Sequence, residues 1–360
     1  MRLLYLLILA FTLFSCGNSR NQSTTQFFTA NDSAFQYSGR HTQTSAATEL
    51  INSGASVKVS VLGDSITIYF QSGNEHHQYV SLEINGEYRG RFKVQQDSLR
   101  LSLPEREVFN ELVILKDTEA SNGSIIFKGI SAEKIRPVTK NQKYKIEFIG
   151  NSITCGMGAD TRQIECGEGE WYNQHNAYLA YGPRVARALN AEFELSCVSG
   201  MGRYRNWNDE DQPVMPDVYA NLRINGSQAE KANFEGKAPN IVSIALGTND
   251  LSLGDGAKER KPFNPEKFTL NYISFVENII TYYPETKIAL LSSPMIGEKE
   301  NKILIDCLKK VQDHFTDSEI AIFEFEKMAP QGCNSHPNIK DHREMAKKLI
   351  PFFKDLLAKN

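Results

Sequence analysis

Residues 147–155 read Glu-Phe-Ile-Gly-Asn-Ser-Ile-Thr-Cys. An apolar run over 144–149 stops at Gly150-Asn151, and a serine follows at once. A buried strand that ends this way presents Ser152 at the carboxyl edge of a sheet, where open α/β folds hold their chemistry. Ser152 is therefore a candidate nucleophile, and acyl transfer from a serine also needs fixed oxyanion donors and a base. Both have candidates downstream. The apolar run 241–246 gives way to Gly247-Thr248-Asn249-Asp250, and Ser335-His336-Pro337-Asn338 stands near the C-terminus.

Outward from that stretch, strands are predicted at 143–149, 192–198, 240–246, 286–292 and 319–325. Helix-like stretches at 178–190, 265–283, 298–315 and 340–359 separate them. Strands that are almost wholly apolar, alternating with helices, imply a parallel sheet covered on both faces. Five of them fit a flavodoxin-like three-layer α/β domain over 138–360. Upstream the pattern changes. Val57-Lys58-Val59-Ser60-Val61 alternates, and Gly73-Asn74, Asn85-Gly86 and Asn122-Gly123 break short runs as hairpin turns do. Residues 31–137 are read as an all-β sandwich of jelly-roll type.

A chain of 360 residues is long for one core, which agrees with two domains. Its net charge of −3, from 40 basic and 43 acidic residues without a basic run, excludes nucleic acid as a partner. Met1-Arg2 followed by an apolar stretch over 3–13 is too short to span a bilayer and reads as a signal peptide over 1–16. Leu13-Phe14-Ser15-Cys16 resembles a bacterial lipobox, which implies lipidation of Cys16 and a polar linker over 17–30. The expectation is an exported lipoprotein of the periplasm or outer membrane, touching the membrane only through its lipid anchor. The five other cysteines allow at most two disulfides and leave at least one thiol, with the pairing open. None has zinc-site spacing, so neither a metal nor any cofactor is expected.

Leu62-Gly63-Asp64-Ser65 imitates a serine motif, but Ser65 opens an alternating stretch inside the β region and is set aside. The residues around Ser152 resemble the SGNH (GDSL-type) hydrolases, serine esterases on a flavodoxin-like fold. By that resemblance Ser152 is the nucleophile. The glycine of Ser199-Gly200-Met201-Gly202 and the asparagine of Gly247-Thr248-Asn249-Asp250 join the Ser152 amide as oxyanion donors, and His336 is the base. His175 is the competing candidate, and His342 shows that a histidine can stand nearby without special meaning; His336 is preferred for its distance to the last helix and the Pro337 that follows, which match the family. Three residues before His336 the superfamily has an aspartate, where this chain has Cys333, and Asp341 lies on the wrong side. The expectation is a Ser152–His336 dyad with a backbone carbonyl orienting the imidazole, since Nδ1–H needs only an acceptor.

A jelly-roll before an SGNH domain, with this dyad, is similar to carbohydrate esterase family two. Gln36-Tyr37-Ser38-Gly39-Arg40, Asn176-Ala177-Tyr178 and Met215-Pro216-Asp217-Val218-Tyr219 carry the likeness further. The family resemblance implies removal of O-acetyl groups from xylan, glucomannan and related plant polysaccharides. Trp171, Tyr204 and Trp207, in polar loop-like sequence, are candidates to stack on sugar, Trp207 foremost. Two other readings compete: an SGNH esterase of lipid or thioester acyl groups, and an inactive carbohydrate-binding lipoprotein.

Overall fold

The computed structural model describes residues 24–139, 142–208, 212–224, 230–236, 238–257, 259–316 and 318–359. The signal peptide, Cys16 and the first half of the linker read from the sequence lie outside them. The second half is not a tether, since Gln26–Thr29 is a strand paired with Ile125–Ala132 and Ala30 is buried in the sandwich core. Among the described residues no helix is long and apolar enough to cross a membrane.

Two antiparallel sheets of six strands each form the N-terminal sandwich. In one, Ile125–Ala132 lies between Thr48–Leu50 and Ser65–Ser72; in the other, Asn110–Lys116 lies between Ser56–Leu62 and Gln78–Ile84. Val57, Val59 and Val61 point into a shared core with Ile66, Ile68, Phe70, Leu112 and Phe127. Ser65 only starts its strand, its Oγ accepting from Arg100 Nη2 at 3.1 Å, so the early serine motif is a strand edge.

Of the three expected hairpin turns, Asn85-Gly86 is one. Both residues have positive φ (56° and 81°) and join Gln78–Ile84 to Glu87–Val94, as a type I′ turn requires. Gly73-Asn74 and Asn122-Gly123 connect strands of different sheets instead. The Asn122 carbonyl accepts from the side chains of Asn74 and Gln78, which fastens these two crossings to each other.

The second half is built on a five-stranded parallel sheet. Counted along the chain its spatial order is 2-1-3-4-5: Ala191–Cys197, Tyr144–Gly150, Ile241–Ala245, Lys287–Leu291, Ile320–Phe323. Because side chains alternate across a strand, Phe148 and Ile149 face opposite layers. Ile149, Val242, Ile244 and Leu290 pack on helices Pro265–Tyr282 and Glu298–His314. Phe148, Leu195, Ala289 and Leu291 pack on Tyr181–Ala188 and Ile339–Ala358. Burial on both faces explains why these strands are apolar throughout. The chain is thus a flavodoxin-like three-layer domain preceded by an antiparallel β-sandwich. The first of these helices is shorter than its apolar pattern suggests. It begins at Tyr181 because residues 176–180 form a turn in which Asn176 Oδ1 accepts from the Leu179 amide.

Candidate active site

The central strand Tyr144–Gly150 ends at Asn151, whose side chain caps a single helical turn, Ser152–Cys155, by accepting from the Ile153 amide at 3.1 Å. Ser152 is the first residue of that turn and is 6% exposed. His336 reaches it from the loop before the last helix, with Nε2 2.7 Å from Ser152 Oγ. On the other side of the ring, Nδ1 lies 2.8 Å from the carbonyl of Asn334. A carbonyl can only accept, so Nδ1 carries the proton and the lone pair of Nε2 faces the serine hydroxyl. Burial holds the His336 imidazole below its ordinary pKa, against an opposing pull from the Asn334 carbonyl.

Cys333, which stands where an orienting aspartate was expected, is disulfide-bonded to Cys166. A second disulfide joins Cys155, at the end of the serine turn, to Cys197, the last residue of the neighbouring strand; Cys307 is a buried free thiol. Asp341 does not approach His336. Its carboxylate accepts from the amides of Gln331 (2.8 Å) and Asn338 (2.9 Å), closing the loop that carries the histidine.

Two further strand ends complete the edge. After Ala191–Cys197, Gly200 has a φ of +79°, and a Cβ there would sit 2.6 Å from the Trp207 indole, so only glycine fits. After Ile241–Ala245, Asn249 donates from Nδ2 to the Met201 carbonyl at 2.7 Å, which fixes the amide and leaves its second hydrogen free. Asp250, fully buried, accepts from the amides of Arg203, Tyr204 and Arg205 at 2.9, 2.8 and 3.3 Å. Burial raises its pKa, and the three amides oppose that rise. Arg260 donates to the carbonyls of Trp207 (2.5 Å) and Asn249 (2.7 Å). The loops after the second and third strands are therefore cross-braced.

Ser152, Gly200, Asn249 and His336 line one cleft of about 690 Å³ together with Trp171 and Trp207, which are 43% and 42% exposed. Tyr204 is not with them. It is 7% exposed, packs on Phe263 and Phe268, and accepts from the Asn264 amide at 3.1 Å. The polar neighbours that made Tyr204 read as a loop ring, Arg203, Arg205 and Asn206, are themselves buried. His175 is fully buried, 3.2 Å from Glu119, and His342 accepts from the Tyr181 amide at 3.2 Å, whereas the histidine bonded to Ser152 is His336. Glu119, Asp250 and Arg260 support the site without having been singled out from the sequence. Only Asp250 carried a signal, as the neighbour of Asn249.

The GDSL-like lipase/acylhydrolase family model matches residues 146–349, and the carbohydrate esterase 2 N-terminal model matches residues 37–140. An acetylxylan esterase/glucomannan deacetylase of Cellvibrio japonicus is 24% identical over 369 residues, covering 99% of each chain. The cellulase/esterase CelE of Acetivibrio thermocellus is 27% identical over 322 residues, 85% of this chain but 37% of its own length. Among solved structures, a family two carbohydrate esterase from Cellvibrio japonicus superposes with a TM-score of 0.82 at 22% identity, over 93% of this chain and 98% of that one. One from Clostridium thermocellum, in complex with cellohexaose, gives 0.78 at 25%, over 90% and 99%.

Proposed function

The chain belongs to the GDSL-like lipase/acylhydrolase family, and on that premise we propose that it is an exported carbohydrate O-acetyl esterase working through a Ser152–His336 dyad. The observation that carries the proposal is the pair of contacts on His336: 2.7 Å from Nε2 to Ser152 Oγ and 2.8 Å from Nδ1 to the Asn334 carbonyl. An imidazole held in that tautomer can take the hydroxyl proton as Ser152 Oγ attacks the acetyl carbonyl. The oxyanion of the tetrahedral intermediate then meets the amides of Ser152 and Gly200 and the free hydrogen of Asn249 Nδ2. Such donors lower the barrier because they are fixed before charge develops. His336 returns its proton to the departing sugar alkoxide, leaving acetyl on Ser152. Water, deprotonated by the same Nε2, releases acetate and restores the serine.

The acetylxylan esterase/glucomannan deacetylase relative supports acetylated xylan and glucomannan as the substrate class. Trp171 and Trp207, exposed on the cleft wall, suit the flat apolar face of a pyranose. Export is supported by the leader over 1–16 and by two disulfides, which persist in oxidising compartments. Cys16 would then be the lipid anchor. The same reading divides the chain into leader 1–16, a linker that gives way to the sandwich strand Gln26–Thr29, a sandwich that runs to 137, and hydrolase domain 138–360.

Acetate release from acetylated xylan and acetylated glucomannan, beside a Ser152→Ala control, tests the proposal. Release that disappears in the control is expected. Release from neither polymer nor from a small acetyl ester would overturn it in favour of a protein that only binds carbohydrate.

A further inference from the structure

One carboxylate beneath the cleft belongs to the other half of the chain. Glu119 follows the sandwich strand Asn110–Lys116 and is 1% exposed. Its Oε2 accepts from the Ser199 amide at 2.8 Å, and its Oε1 accepts from the Ser199 hydroxyl. The same Oε1 lies 3.2 Å from Nε2 of the buried His175. Ser199 precedes Gly200, and the His175 ring supports Trp171 edge to face, with ring centroids 4.8 Å apart. The backbone carbonyl of Glu119 is held in turn by Lys116 Nζ at 3.0 Å.

Resting on the esterase reading above, we propose that Glu119 is a positioning residue for the acetyl transfer: it fixes the oxyanion loop through Ser199 and the tryptophan wall through His175. The sandwich is then part of the catalytic apparatus rather than a separable binding module. A buried carboxylate bonded to an amide and a hydroxyl of one residue leaves that residue little freedom, and charge-assisted bonds of this kind are the strong ones. Burial alone would raise the Glu119 carboxyl, but the bonds from His175 and Ser199 outweigh it and keep it below the ordinary range. It is therefore ionised at neutral pH and accepts all three hydrogens at once.

The test uses the full chain and three variants, Glu119→Ala, Glu119→Gln and Ser199→Ala. In Glu119→Ala, kcat and kcat/KM for a small acetyl ester fall together, on the order of 100-fold, with KM unchanged, as expected for a misplaced transition-state donor. Glu119→Gln restores most of that loss. Its oxygen can still accept the Ser199 amide, and its NH2 can donate to Ser199 Oγ and to the other tautomer of His175. Ser199→Ala keeps the amide bond and shows a smaller fall in kcat in the same direction. It also decides the matter should Glu119→Ala not fold.

Hydrogen exchange over residues 198–203 is measured in parallel. It quickens in Glu119→Ala and stays near wild type in Glu119→Gln. Wild-type kcat together with wild-type exchange in folded Glu119→Ala, or in Ser199→Ala if the first does not fold, overturns the proposal. If the parent hydrolyses no acetyl ester, the esterase reading fails while exchange still decides the clamp. If the parent is active and the variants match it, the clamp fails and the esterase stands.

Discussion

His336 lacks the carboxylate that orients the base of a serine triad, and the Asn334 carbonyl takes over half of that duty. A carbonyl fixes the tautomer but brings no full negative charge to stabilise an imidazolium. As the proposed base His336 must be neutral to accept the serine proton, and burial holds it below the 6.5 of a free imidazole, with His175 pushing it lower and Glu119 opposing. Activity should therefore persist at pH 7 and fall only as pH drops through that lowered value. A profile of kcat/KM with its acid midpoint below 6.5 is expected; a limb above it would contradict the geometry. At the facing position, Asn249→Ala should lower kcat about 100- to 1,000-fold while the fold persists, since it removes one of the proposed oxyanion donors. Steady-state kinetics beside a thermal melt would check it. Ser152, Asn249 and His336 were legible in the sequence because each follows an apolar run or precedes a helix, in the order that the resemblance to the SGNH hydrolases implies. Glu119 was not, because Lys116-Asp117-Thr118-Glu119 reads as a charged surface turn until another part of the chain buries it. Tyr204 misled for the converse reason, among polar residues that turn out to be interior.

At the scale of the element, the loop 331–338 has to hold an unfavourable backbone so that a carbonyl can face the imidazole. Asn334 and Ser335 both have left-handed φ, 52° and 58°, which non-glycine residues adopt at a cost. The loop is held by the Gly332 amide on the His336 carbonyl (2.7 Å), the Cys333 amide on the Gly158 carbonyl (3.0 Å), the Asp341 cap and the Cys166–Cys333 bridge. The double variant Cys166→Ser, Cys333→Ser should lose roughly 2–5 kcal/mol of stability by denaturant titration. It should also lose kcat more than KM, because His336 is less well placed for transfer than substrate is for binding. Equal stability and unchanged kcat would show that the backbone bonds suffice. Strand and helix positions in this half were readable because a sheet covered on both sides demands apolar runs. The crossings at Gly73-Asn74 and Asn122-Gly123 were not, because a glycine-asparagine pair marks a turn without saying which sheet the next strand joins.

For the whole molecule, the sandwich and the α/β layers share polar and apolar contacts that neither satisfies alone. Arg40 donates to the Asn221 carbonyl at 2.6 Å and to Ser196 Oγ at 3.2 Å, Asp117 accepts from the Tyr178 amide at 3.2 Å, and Leu115 belongs to the core beside Phe148. Cutting the chain before residue 143 would strand these buried partners, each at a cost of about 1–3 kcal/mol. The isolated C-terminal part should show no cooperative melt and little esterase activity; a cooperative melt with full kcat would contradict this. The proposed chemistry turns on one bond, between Ser152 and an acetyl group. Its most direct test is mass spectrometry of the protein quenched during turnover of an acetylated oligosaccharide. One acetyl group is expected on the peptide containing Ser152, absent from Ser152→Ala and depleted when His336 is replaced by alanine. Acetate released with no acetyl on Ser152, or with acetyl on another residue, would contradict it.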